Sequence, residues 1–502
     1  MTSRRRVILG AGLLSLAALA VALYRRLVPS TPVQSTTVAP DHPDLRYMGR
    51  WDRTNPTLPS VGWQGAQIAF VFAGTSVTAR LRTTASIDYL LVIVDGVVQP
   101  ERIRVSADDA PIIIAAGLAN GRHRIQMIKE TAQGGDMQFA GLTIAGTIVA
   151  EDAPAPRRHI VYFGDSNLAG ESLLHEENNG DITSMGCHHT YAGITARMCD
   201  ASSENVSYGG ATIGSIHSIY RQISRQNPAA WDAQRTAADV VVIDLGSNDV
   251  DKGEKAIRAA YHAFLDDIRT TYPQAHIVLY NSYGWSFAEP ANYSAAVVAE
   301  RNDAQMSAAR FPWFFEQWHG CEYDHAGMAM ILAQHLAKTL GWDIQSADVM
   351  NGYGQNGNVA NGSFAESAPF GGFGWRYGLK TGVTRITAEA GFDGNHFVRL
   401  AAGARIHQPN PARNGATITV TVAARSPDGG NLVSTIDFRN QEMYSAPLST
   451  ESQTHALSTE WQTFSMTVQA PVQTPTPVFH TRLTFGAHGG TVDVDAVQMK
   501  TG

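Results

Sequence analysis

The stretch His159-Ile160-Val161-Tyr162-Phe163-Gly164-Asp165-Ser166-Asn167-Leu168-Ala169-Gly170 constrains this chain more than any other. Residues 160–163 are apolar, β-branched or aromatic, as a buried strand requires. Gly164-Asp165-Ser166 follows at once, and small residues then open a helix. A serine at such a turn lies at the carboxyl end of a strand, where open α/β sheets gather their sites. Backbone N–H groups at the start of the next helix suit an oxyanion. Alone, this tripeptide reads equally well as an ordinary turn. Its company decides.

The same rhythm runs through residues 157–343. Residues 240–245 read as a second buried strand and end in Gly246-Ser247-Asn248-Asp249. Residues 255–269 carry Ile257, Ala260, Tyr261, Phe264, Leu265 and Ile268 at helix spacing. Residues 276–280 predict a third strand, and the alanine-rich 293–310 a helix. Residues 326–340 predict a last helix with Met328, Ile331, Leu332 and Leu336 on one side. Strands alternating with helices imply a parallel, doubly wound sheet in a three-layer α/β domain.

At 502 residues the chain exceeds one core. Residues 46–150 look all-β, with runs at 61–82, 89–94 and 123–128. Asp95-Gly96 and Asn120-Gly121 predict hairpin turns. An N-terminal β-sandwich is expected, with a boundary in the Pro-rich residues 151–158. Residues 346–502 return to β patterning at 416–424, 458–468 and 492–499, which predicts a second sandwich of jelly-roll type. Phe370, Phe373, Trp375 and Tyr377 cluster there as candidates to stack on sugar rings, although Trp375 and Trp461 fit a core equally well.

Residues 1–29 read as a signal peptide or a membrane anchor. Arg4-Arg5-Arg6 precedes an uncharged run at 7–24, about long enough to cross a bilayer, and the start resembles a twin-arginine signal. The expected location is the bacterial periplasm or the exterior, with inner-membrane anchoring through residues 7–24 as the alternative to cleavage. Residues 30–45, rich in Ser, Thr and Pro, read as a linker. A net charge of −7 with no later basic stripe argues against a nucleic-acid partner. Cys187, Cys199 and Cys321 make no disulfide framework. Cys187-His188-His189 lacks a second ligand pair, so no metal is expected. No cofactor motif occurs.

Serine attack on an ester needs a base, a group that orients the base, and an oxyanion hole. Ser166 is the nucleophile candidate and His325 the base candidate. Glu322, three residues before His325, can turn back to hold Nδ1; Asp324 is the competing orienter. Asn248 offers an amide donor to an oxyanion, and Gly209-Gly210 can bring a backbone N–H close to substrate. Asp165 and Asp249 read as turn-holding residues. Trp285, and Trp318 beside His319, are candidates for an aromatic wall against a sugar or for core packing.

Gly164-Asp165-Ser166, Gly246-Ser247-Asn248-Asp249 and Glu322-Tyr323-Asp324-His325 resemble, in order, three blocks of the SGNH (GDSL-type) hydrolases. The resemblance implies Ser166 as nucleophile, His325 as base and acid, and Ser166, Gly210 and Asn248 as oxyanion donors. Gly209 and Thr212 are rival alignments for the second-block glycine. Glu322 departs from the family aspartate, and Ala326 from the proline after the histidine. Residues 46–52, Val94-Asp95-Gly96, residues 117–123 and Lys129-Glu130-Thr131 resemble the sandwich of carbohydrate esterase family two. Some of its members hold the histidine through a backbone carbonyl. Trp461 to Phe464 and Val492 to Met499 resemble carbohydrate-binding jelly-roll modules. The implied activity is removal of O-acetyl groups from a polysaccharide or oligosaccharide through an acyl-enzyme. The alternatives are a lipase, aryl-esterase or thioesterase on the same fold, or a glycan-binding protein of weak catalytic power.

Overall fold

The computed structural model describes residues 35–152, 154–175, 179–282, 288–311, 319–345, 359, 361–365, 375–377, 382–440, 446–478 and 480–502. The expected leader, Trp285, Trp318, Phe370 and Phe373 lie outside them. Among the described residues, no helix is long and apolar enough to cross a membrane.

Ten antiparallel strands build the N-terminal domain around one core. Alternate residues of Gln67–Thr83, including Ile68, Phe70 and Phe72, meet Val92, Ile125 and Phe139 in that core. Hydrogen bonds join all ten strands into one sheet, where two separate sheets were expected. Gln67–Thr83 pairs with Gly121–Lys129 along its first half and with Pro111–Ala115 along its second. Register shifts at Phe139/Leu142 and Ala145/Gly146 interrupt its pairing with Met137–Val149, and such bulges bend a strand. Asp95-Gly96 turns with both φ positive, as a two-residue hairpin demands. Asn120-Gly121 is not such a turn, because the strand before it pairs with Gln67–Thr83. The linker expectation also needs correction. Ser35–Val38 pairs with the strand Met137–Val149, and Val38 and Leu45 are buried.

The middle domain holds five parallel strands: β1 (Arg158–Gly164), β2 (Ala201–Ser207), β3 (Val240–Asp244), β4 (His276–Ser282) and β5 (Met306–Phe311), in the order β2-β1-β3-β4-β5. Helices α1 (Ser166–Ala169), α2 (Tyr191–Met198), α3 (Ile213–Ile219), α4 (Glu254–Thr271), α5 (Ala288–Arg301) and α6 (Glu322–Leu340) connect them. One apolar core packs α2 and α6 on the sheet, and a second packs α3, α4 and α5 on the other face. The sheet is therefore doubly wound, as expected. The helix expected over 293–310 stops at Arg301. Asn302 has φ +49, and Met306–Phe311 then pairs with β4 as an edge strand.

The two domains share buried polar contacts. Arg50, 1% exposed, donates to Glu204 Oε2 of β2 at 2.8 Å and to the Tyr220 carbonyl at 2.6 Å. Gln64 donates to Ser207 Oγ at 2.6 Å.

Beyond residue 375, two five-stranded antiparallel sheets enclose a third core. Trp375 belongs to it. The ring is 3% exposed, lies against Phe364 and Phe485, and its indole N–H donates to the Asn361 carbonyl at 3.3 Å. It is a core residue and offers no face to a sugar.

Candidate active site

Three turns meet at the carboxyl ends of the strands. Ser166 starts α1 directly after β1 and is 3% exposed. Asp165 caps that helix, its Oδ1 accepting from the Asn167 N–H at 3.0 Å. Its Oδ2 accepts from Ser247 Oγ in the turn after β3. Burial pushes the Asp165 carboxyl up to about 6, against the hydrogen bonds it accepts. Gly246 makes the β3 turn at φ +104, a left-handed conformation that favours glycine.

Asn248 Nδ2 donates to the Ala211 carbonyl at 3.0 Å, and Asp249 Oδ2 accepts from the Ile213 N–H at 3.0 Å. Both bonds draw the loop 208–212, which follows β2, against the β3 turn. Gly210 is exposed with φ +74, and a Cβ there would touch nothing within 4 Å. A Cβ on Gly209 would fall 2.0 Å from Glu171 Oε1. Gly164, Asp165, Ser166, Gly209, Gly210, Gly246, Asn248 and Asp249 thus lie on three adjoining turns.

The histidine expectation fares differently. His325 is fully buried, and its Nδ1 accepts the Tyr191 backbone N–H at 3.1 Å. A neutral ring that accepts at Nδ1 carries its proton on Nε2, so Nε2 has no lone pair for a serine. Burial and nearby His319 push the His325 pKa down to about 3. Glu322 does not hold the ring. Its Oε1 is buried without a hydrogen bond, and burial raises its carboxyl to about 8. Asp324 is spent elsewhere: Oδ2 accepts from the Cys321 N–H at 2.9 Å and pairs with Arg376 at 2.6 Å.

His319 instead stands beside the nucleophile turn. The next residue, Gly320, donates its N–H to Asn167 Oδ1 at 3.1 Å. His319 Nδ1 is 3.4 Å from Ser172 Oγ, and Nε2 is 3.7 Å from Glu171 Oε2. Burial lowers its pKa to about 4, so the ring is neutral at neutral pH and able to take a proton. Sequence reasoning passed over this residue. The available signal was helical phase: His325 shares the buried face of Met328, Ala329, Leu332 and Leu336, whereas His319 precedes the helix.

Among the described residues, no group of three potential metal ligands occurs. The His188 backbone N–H donates to Glu130 Oε1 of the N-terminal domain at 2.8 Å. No disulfide joins Cys187, Cys199 or Cys321.

Residues 47–154 match the family model for the carbohydrate esterase 2 N-terminal domain, and residues 162–323 match that of the GDSL-like lipase/acylhydrolase family. Residues 47–154 and 162–323 thus resemble, in order, the two domains of an SGNH-type hydrolase of carbohydrate esterase family two. The second match spans Ser166, Asn248 and His319 and ends before His325. The cellulase/esterase CelE of Acetivibrio thermocellus is 28% identical over 336 residues, which cover 61% of this chain and 41% of the relative. The chain therefore spans about two fifths of that protein's length. An acetylxylan esterase/glucomannan deacetylase of Cellvibrio japonicus is 23% identical over 330 residues, covering 61% of this chain and 92% of the relative. A family two carbohydrate esterase from Clostridium thermocellum, solved with cellohexaose, superposes with a TM-score of 0.56 at 26% identity. It covers 59% of this chain and 99% of that structure.

Proposed function

We propose that this protein is an exported serine esterase that removes acetyl groups from a polysaccharide or oligosaccharide. Ser166 Oγ attacks the acyl carbon. His319 takes the hydroxyl proton and returns it to the leaving sugar oxygen. The Ser166 and Gly210 N–H groups and the Asn248 amide receive the oxyanion. A water, activated by the same histidine, then releases acetate. The observation that carries this reading is the meeting of the Ser166, Gly210 and Asn248 turns with the His319 segment through the Asn248–Ala211 and Gly320–Asn167 hydrogen bonds. The similarity to family two esterases supports acetylated glycans as substrates. The basic and then apolar N-terminus supports export.

The test compares 4-nitrophenyl acetate, butyrate and octanoate, and acetate release from acetylated xylan and glucomannan. Wild type should prefer acetyl, and Ser166→Ala should abolish turnover. Turnover that rises with chain length would replace the sugar substrate with a lipid-like one. Undiminished turnover by Ser166→Ala would overturn the mechanism.

A further inference from the structure

The loop directly after the nucleophile carries a carboxylate that the proposed chemistry has not yet used. Glu171 is 8% exposed, yet lies on no strand or helix. Its Oε1 accepts from Gln133 Nε2 of the N-terminal domain at 3.4 Å. That oxygen lies so close to Gly209 that only a residue without a side chain fits opposite it. Its other oxygen is 3.7 Å from His319 Nε2. The loop itself is pinned. Ser172, at φ +60, donates its hydroxyl to the Asn179 carbonyl at 2.9 Å and accepts the Asn179 N–H at 2.8 Å. The acids just downstream of His319 cannot serve in its stead. Asp324 is engaged by Arg376, and Glu322 stands in the first turn of α6 with one buried, unbonded oxygen.

We infer that Glu171 is the acidic partner of His319, a positioning residue supplied by the nucleophile's own loop and steadied by Gln133 of the neighbouring domain. This rests on the reading of His319 as the base. In the acylation step, the Ser166 O–H bond breaks, its proton moves to Nδ1 of His319, the ring nitrogen that does not face Glu171, and the Oγ–acyl carbon bond forms. The imidazolium so produced sits beside the Glu171 carboxylate. When the acyl carbon–sugar oxygen bond breaks, that proton leaves with the sugar oxygen, and the ring is neutral again. Burial raises the Glu171 carboxyl above its usual range, against the Gln133 hydrogen bond, and a cation formed beside it favours the ionised form. Glu171 stabilises the charged ring, which exists only on the way over the barrier.

Among the described residues, Glu171 of this loop and His325 of α6 are titratable groups near His319, and Ser172 Oγ lies 3.4 Å from its Nδ1. Glu171→Gln keeps the shape and removes the charge. It should lower kcat on 4-nitrophenyl acetate by roughly 10²-fold, with KM little changed. The acid limb of kcat/KM should move to lower pH, since an imidazole without its anion is harder to protonate. Glu171→Asp should recover part of kcat. An unchanged kcat with an unmoved limb, or a rise in KM alone, would overturn the inference. His319→Ala is run alongside. If it keeps wild-type turnover, the base assignment itself fails. If it is inactive while Glu171→Gln is silent, only the Glu171 inference fails.

Discussion

The rings of His325 and Tyr191 lie parallel, 5° apart in plane and 5.9 Å between centres, while the Tyr191 backbone N–H feeds His325 Nδ1. The same tyrosine's hydroxyl donates to Asp244 Oδ2 at 2.8 Å. His325 is thus tied to α2 and, through Tyr191, to the end of β3, as a structural polar group of the interior. His325→Ala should cost about 1–3 kcal/mol, because it strands the Tyr191 donor, and should leave kcat within an order of magnitude. His319→Ala should do the reverse, with an unchanged Tm and turnover lost. Calorimetry and esterase assays on the two variants check both halves.

Gly209 and Gly210 should respond differently to a methyl group. Gly210→Ala meets open space but keeps φ +74, a conformation that costs about 1–3 kcal/mol for a residue with a Cβ. Gly209→Ala must displace the Glu171 carboxylate. The expected result is a modest loss of Tm for Gly210→Ala and a fall in kcat for Gly209→Ala larger than its loss of Tm.

Glu130 predicts a pH dependence of stability. Burial pushes its carboxyl from 4.5 up to about 7, although Arg102 and the His188 N–H pull it down. A folded-state pKa above the unfolded one means that the native state holds the proton longer. Its contribution is complete below about pH 4.5 and is lost as pH rises through about 7. Glu130→Gln keeps an oxygen for the His188 N–H and removes the titration. Melting curves between pH 4.5 and 8 should fall with pH more steeply for wild type than for the variant. Parallel curves would refute this.

Trp375→Ala should cost about 3–5 kcal/mol, the usual loss for emptying a large aromatic site in a core. It should have no separate effect on glycan affinity in pull-down with insoluble polysaccharide. A folded variant that loses binding would return Trp375 to the surface role that its sequence context also allowed.

How much of this was legible in the sequence depended on whether the local pattern was also the global one. Ile160–Phe163 and Val240–Ile243 are apolar throughout because both faces of the sheet are covered, and the turns that follow them were readable for the same reason. β2 was not readable: Ala201-Ser202-Ser203-Glu204 is polar, and Glu204 is met inside by Arg50, 154 residues earlier, by the Trp231 indole and by nearby His159. β5 hid behind alanines that suit a helix as well as an edge strand. At the site, Ser166 and Asn248 sit on turns whose backbone dictates where they point. The histidine was ambiguous because Glu322 and His325 have the right spacing on paper. About three turns of apolar residues in phase with His325, namely Met328, Ala329, Leu332 and Leu336, fix its direction inward, and spacing alone could not weigh that.

The Arg50 guanidinium has a final implication for how this chain can be divided. It reaches out of the first domain to Glu204, to the Tyr220 and Gln222 carbonyls and to the Tyr272 hydroxyl, all in the second. Residues 47–154 and 162–323 match separate family descriptions, yet neither interior is complete alone. Without the first domain, Glu204 would keep the Trp231 indole and His159 but lose the Arg50 guanidinium, and removing one partner of a buried ion pair costs about 3–5 kcal/mol. A fragment limited to residues 162–323 would therefore carry Glu204 without the guanidinium that faces it here.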